Sequence, residues 1–194
     1  MKFRNILLTL IIIMSLFTGC TTQDTNPQDT TPPQTSTPDT TTPDTTPDVM
    51  TTASIVDSNA AFENAISNNG TWIIATLKDL TFDKELVLDG EFKNGKKDEA
   101  GKDIIQRKIA LYTQDEDHKV TDRFTLTAPK LTINSPNARI QSGTFIGDVY
   151  VLAENFQLVD ATIEGNLYFT TEQAESSFTM DETSKVTGTQ EMSK

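Results

Sequence analysis

The residues whose types could do chemistry are few and scattered. The chain of 194 residues has one cysteine, Cys20, and one histidine, His118. His118 closes the acidic run Asp115-Glu116-Asp117 within the segment TQDEDHKVTD, from Thr113 to Asp122. Carboxylates at alternate positions can share a hard cation such as calcium, so Asp115 and Asp117 are the candidate metal ligands. The glycine and glutamate that an EF-hand loop places at fixed positions are absent, and a solvated turn is the competing reading. His118 has no identifiable nucleophile to activate. Arg139, Asp160 and Glu164 come nearest to the clustered carboxylates and basic groups that cleavage of a polysaccharide needs, but their spacing does not fix a separation between the acids. Asp148, Tyr150, Asn166 and Tyr168 form the remaining group. They are the candidate ligand-facing residues, because Tyr168 repeats Tyr150 and Asn166 answers Asp148 at one fixed interval, and all four should stand at the surface. No residue is assigned a catalytic role, and no cofactor is expected.

That interval is the strongest organising signal in the chain. ARIQSGTFIGDVYV, from Ala138 to Val151, is answered by FQLVDATIEGNLYF, from Phe156 to Phe169, with aligned positions 18 residues apart. The apolar anchors Ile133, Ile140, Phe145, Val151, Leu158, Ile163 and Phe169 follow one another in steps of 7, 5, 6, 7, 5 and 6. Three short extended pieces in a fixed period describe a triangular coil that stacks on itself. Stacked copies place Val149-Tyr150-Val151 against Leu167-Tyr168-Phe169. Alternation along a strand then turns both tyrosines outward if the flanking residues point in. Asp148 and Asn166 each follow an aligned glycine, Gly147 and Gly165, where a corner needs positive φ. Asp160 aligns with Ser142 and Glu164 with Ile146, so neither acid belongs to a repeated acidic row.

The elements before the repeat fit the same plan. Asp57 and Ser58 can cap a helix through Asn68, with Asn69-Gly70 as a left-handed stop, and Ala61, Phe62, Ala65 and Ile66 share one face. Trp72-Ile73-Ile74-Ala75 is a run of β-formers, and Trp72 is expected as a core plug under that helix or as a sugar-stacking platform. Short strands are expected at Leu80–Phe82, Leu86–Leu88, Ile109–Leu111, Phe124–Leu126 and Leu131–Ile133, with Pro129 and Pro136 between strand pieces. Charged insertions at 91–108 and 113–122 read as a protruding hairpin or loop and an acidic turn. After Phe169 the period loosens. No further helix is expected, and the final GTQEMSK is expected to fray.

The first 52 residues cannot build a core. Lys2 and Arg4 precede an apolar run from Ile6 to Phe17, too short to span a bilayer, which marks a secretory signal. Residues 21–52 contain 14 threonines and 6 prolines, the composition of a disordered tether. The proline content favours an extended chain, whose contour reaches roughly 100 Å. The net charge of −12 disfavours nucleic acid and anionic lipid headgroups as partners through charge.

Two resemblances extend these readings. Leu16-Phe17-Thr18-Gly19-Cys20 resembles the lipobox of bacterial lipoproteins, with Phe17 where leucine is commoner. That resemblance implies cleavage after Gly19 and a lipid on Cys20. A small helix feeding directly into strands resembles the cap of pectin-lyase-like right-handed β-helices. The regular triangular period resembles bactofilin-like polymers. The expected organisation is therefore a signal peptide at 1–19, a lipidated and tethered segment at 20–52, and a domain at 53–194. That domain is expected to be all-β, a single-stranded right-handed β-helix with triangular rungs of about 18 residues and a short capping α-helix. The expected role is a non-catalytic binding or structural module of the cell envelope, extracytoplasmic and held to the membrane by its lipid. Cell-wall polysaccharide or an envelope protein is the expected partner. A polysaccharide lyase or hydrolase on the same fold, or a self-assembling scaffold, are the alternatives, and the oligomeric state is left open.

Overall fold

A computed structural model describes residues 53–193, so the signal segment, Cys20 and the tether lie outside the described residues. The chain enters through β1 (Ser54–Val56) and α1 (Asn59–Ile66), then lays down β2 (Ile73–Thr76), β3 (Leu80–Thr81) and β4 (Leu86–Leu88). A hairpin of β5 (Lys93–Lys97) and β6 (Asp103–Ile105) precedes β7 (Arg107–Ala110). A second hairpin, β8 (Tyr112–Gln114) with β9 (Val120–Arg123), precedes β10 (Thr125–Ile133). The regular part follows as β11 (Ala138–Gln141), β12 (Thr144–Val151), β13 (Gln157–Val159), β14 (Thr162–Glu164) and β15 (Leu167–Phe169). A short helix, α2 (Glu172–Ser176), then leads to β16 (Thr179–Met180), β17 (Lys185–Val186) and β18 (Gln190–Met192).

Strand dominates, and outside the two hairpins every strand pairing among the described residues is parallel. One sheet has six strands in the order β1-β2-β7-β11-β13-β16. The other has eight, in which β10 and β12 are long enough to pair with β3 or β14 through one half and with β4 or β15 through the other. The doubled phrase pairs with itself in the expected register, with Phe145 beside Ile163, Val149 beside Leu167 and Tyr150 beside Tyr168. Period-2 alternation puts Ile74, Ile109, Ile140 and Leu158 into the interior from the first sheet. Leu126, Phe145, Ile163, Ile133, Val151 and Phe169 enter from the second, all at 2% exposure or less. Each such side chain gains on the order of 1.5–3 kcal/mol by leaving water. This stacked apolar column is what holds strands of only three or four residues in place.

Helix α1 covers one end of that column. Ser58 is its N-cap, accepting a hydrogen bond from the Ala61 amide, and Phe62, Ala65 and Ile66 are buried as the stripe requires. The helix stops at Ser67, and Gly70 does not supply a left-handed turn. Glycine is needed there for space: a Cβ on Gly70 would lie 1.9 Å from the Ala65 carbonyl oxygen. The C-terminal carbonyls of α1 are satisfied by Arg107, fully buried, whose Nη2 donates to Ala65 and whose Nη1 donates to Ser67 and Asp89. The Phe92 ring lies 4.3 Å from the guanidinium carbon. Burial pulls this guanidinium down to about 10, with Asp89 opposing, so it stays charged at neutral pH.

Several expectations are corrected. Trp72 is half-buried and does not plug the core; Phe62, packed on Phe82, has that place. Pro129 lies within β10, at the register shift between Thr127 and Lys130, where a bulge spares the missing donor. Helix α2 was not expected. Thr171 caps it and Ala174 is its single buried residue, a stripe too narrow to register as periodicity. The final segment does not fray over its described residues, because Gln190–Met192 pairs with β15.

The first insertion is a hairpin, as the charge pattern suggested, and Asp103 clamps it. Lys93 and Lys97 each reach its carboxylate at 2.8 Å. The hydrogen bonds from Lys93 and then Lys97 hold its carboxyl at about 2, against an ordinary 3.8. A carboxyl depressed in the folded state contributes fully above its ordinary value and loses its contribution as the pH falls through the folded one. Protection of the β5 and β6 amides from hydrogen exchange should therefore fall between those two values in the wild type and not in Asp103→Asn. Equal pH profiles for the two proteins would refute the clamp.

Candidate functional site

The repeated polar residues lie at two corners and on one outward row. At the first corner, Gly147 and Gly165 take φ of +136° and +158°, as the corner demands. Asp148 Oδ1 accepts hydrogen bonds from the backbone amide and the Nδ2 of Asn166, at 2.9 and 3.0 Å. Asn166 Oδ1 in turn accepts from the Thr189 amide and hydroxyl. The ladder therefore runs through three turns of chain, and its atoms are spent largely on one another. At the next corner, Ser142 and Asp160 occupy the left-handed region, at φ 56° and 52°. Ser142 donates to Asp160 Oδ2, and the Asp160 amide donates to the Asp181 carboxylate. Arg123, from the second hairpin, binds Asp160 Oδ2 at 2.6 Å. Asp181 is held below the usual carboxylate range, first by the Ser184 hydroxyl and then by that Asp160 amide.

Tyr150 and Tyr168 stand on the outward row, half-buried, their ring centroids 4.8 Å apart and the planes tilted by 36°. Lys130 Nζ lies 5.0 Å from the Tyr150 centroid while bridging to Glu85. The rings thus cover each other along the stack, and their outer edges and hydroxyls are what a ligand would meet. Burial, then Asp148, Tyr150 and Glu191, raise the Tyr168 hydroxyl pKa, so it is a neutral donor at physiological pH.

The remaining candidates are not brought together. Arg139 donates through Nε and Nη2 to Gln157 Oε1, at 2.9 and 2.6 Å. Asp160 is engaged with Arg123 and Ser142, and Glu164 projects from β14 into solvent. In the second insertion, Asp115 Oδ1 accepts from the Asp117 and Lys119 amides and so holds the turn of the β8–β9 hairpin. Asp117 is 80% exposed, and His118, at φ 61°, meets Gln114 through Nδ1. Among the described residues no group of three or more histidine, cysteine, aspartate or glutamate side chains could hold a metal ion.

One concave feature escaped the sequence reading. On the outer side of the six-stranded sheet, Ile55, Ile73, Ala75, Leu77 and Tyr112 line an open groove of about 320 Å³, with Lys108 at its side. The signal for it was the unbroken apolar runs Ile73-Ile74-Ala75 and Ile55-Val56, which leave apolar side chains on both faces of a strand. No helix among the described residues is long and apolar enough to cross a membrane. Compared with protein-family models, with curated proteins and with solved structures, the chain finds no match.

Proposed function

We propose that the parallel ladders form a small right-handed β-helix displayed as a non-catalytic binding module of the cell envelope. In this reading Cys20 carries a lipid, residues 21–52 act as the tether, and wall polysaccharide or another envelope protein is the partner. Handedness is supported by the general rule that parallel strands joined by crossovers coil right-handedly in nearly all cases. The lipobox-like Leu16–Cys20, the short apolar leader and the threonine- and proline-rich segment support the placement. The observation that carries the non-catalytic reading is how the polar groups are used. Asp148, Asn166, Ser142 and Asp160 bond to the neighbouring turn of chain, which stiffens a stack rather than arming a cleft.

The Tyr150–Tyr168 edge is the surface this reading assigns to a hydroxyl-rich polymer. Retention of the chain on wall polysaccharide should fall about tenfold in the Tyr150→Ala, Tyr168→Ala double variant, the equivalent of about 1.4 kcal/mol. Undiminished retention would remove these residues from the site, and no retention of the wild type would remove the ligand class. For the anchor, labelled fatty acid should enter the wild type and not Cys20→Ala.

A further inference from the structure

The groove on the six-stranded sheet joins an aliphatic trough to a cationic rim. Its walls are Ile55, Ile73, Ala75 and Leu77, and Ile55 and Leu77 are 67% and 48% exposed. Lys108 stands on β7 directly beside Ile73 of β2 on one side and Arg139 of β11 on the other. Its ammonium lies 5.8 Å from the Trp72 ring centroid and 5.9 Å from that of Tyr112. Burial, reinforced by Arg139 and then Lys96, lowers the Lys108 pKa. None of Lys96, Lys108 and Arg139 joins an ion pair among the described residues.

What marks this pair is adjacency: the Arg139 guanidinium is held by the neutral Gln157 through Nε and Nη2, so among the described residues no carboxylate stands in ion-pair distance of either neighbouring cation. Bringing two cations side by side without a carboxylate raises the energy of the unliganded surface, and an anion would relieve it. A sugar polymer would use the lysine and the rings but would leave the aliphatic walls without a complement. A neutral apolar molecule would fill the walls and ignore the cations.

We infer that this groove binds a single-chain anionic amphiphile, its carboxylate or phosphate head against Lys108 and Arg139 and its aliphatic body along Ile55, Ile73, Ala75 and Leu77. The volume of about 320 Å³ is at the small end of ligand sites, which suits one acyl chain rather than a two-chain lipid. The head pairs with cations already stripped of part of their water, and the chain covers apolar surface that is otherwise wet. The overall negative charge disfavours anionic surfaces as partners, whereas this rim sets two cations side by side.

Trp72 is the single tryptophan of the chain and reports on Lys108. The full chain carrying Cys20→Ser, so that no attached lipid competes, is titrated below the micelle threshold with dodecanoate, dodecyl phosphate and dodecanol. Saturable change in Trp72 emission is expected with at least one of the two anions, at least tenfold tighter than with dodecanol. Whichever anion binds more tightly identifies the head. Lys108→Gln should abolish most of that preference, and Arg139→Gln, outward on a different strand, should reduce it independently. Ile55→Asn should weaken all three ligands, while Lys84→Gln, ion-paired to Glu63 elsewhere, should change none. Equal affinity for dodecanol and both anions would overturn the proposal, as would no saturable binding, or an anion preference that survives both cation substitutions.

Discussion

Arg107→Met is expected to lower the unfolding free energy of the strand-rich body by about 3 kcal/mol or more, read from the midpoint of denaturant unfolding. The guanidinium joins three parts of the chain: the end of α1 at Ala65 and Ser67, the turn after β4 at Asp89, and β7 itself. Ser67 would still accept a hydrogen bond from the Gly70 amide. Among the described residues the Ala65 and Asp89 carbonyls have no second hydrogen-bond partner, and methionine would leave both unsatisfied, at about 1–3 kcal/mol each. Replacing a buried ion pair by apolar residues is often harmless because both charges leave together. Here the partners are backbone carbonyls, which cannot leave. The α1 amides should lose protection from exchange before the β11–β15 amides do, because the helix then keeps its buried Phe62, Ala65 and Ile66 and the bonds of Asn59 to Thr81 and of the Asp89 amide to Ile66, but not the tie at its C-terminal carbonyls. An unchanged midpoint would show that water replaces the guanidinium without loss.

Gly147→Ala should be nearly as damaging, at about 3 kcal/mol. Its φ of +136° is a region that side chains rarely adopt, and a Cβ there would stand 1.9 Å from the Ala128 carbonyl oxygen on the neighbouring strand. Relief would require β10 and β12 to part, and they form the longest ladder in the body. Gly101→Ala separates the two effects. It shares a positive φ of +79° but has nothing within 4 Å of the added carbon. Conformational strain alone, about 1 kcal/mol, is therefore expected there. If the two substitutions proved equal, close approach of the strands would not be the reason for glycine at 147.

The repeat was legible because its information is local. Alternation fixed which of Val149, Tyr150 and Val151 face inward, and the recurrence after 18 residues fixed which residue each would meet, so the Tyr150–Tyr168 stack and the Asp148–Asn166 contact followed. Helix α1 was legible from its cap and stripe. What failed was where local preference and packing disagreed. An Asn-Gly pair suggested a left-handed stop, whereas Gly70 is dictated by the Ala65 carbonyl above it. The polar tail suggested fraying, yet Gln190–Met192 pairs with β15 and its one apolar side chain, Met192, packs against the core. Tryptophan suggested a core plug, and the core took a phenylalanine instead.

By itself, then, the sequence determined a strand-rich body of stacked short elements, the faces of the repeated strands, the corner glycines and the end covered by α1. Only the tertiary structure decided the partners across the irregular insertions. Lys108 and Arg139 are 31 residues apart, not one period, and become neighbours because the hairpin of β8 and β9 is looped out between them. Arg107 and α1 meet in the same way, across the hairpin of β5 and β6. A period can be counted along a chain. The register restored after a looped-out hairpin depends on which apolar side chains fill the column, and that is a property of the folded stack.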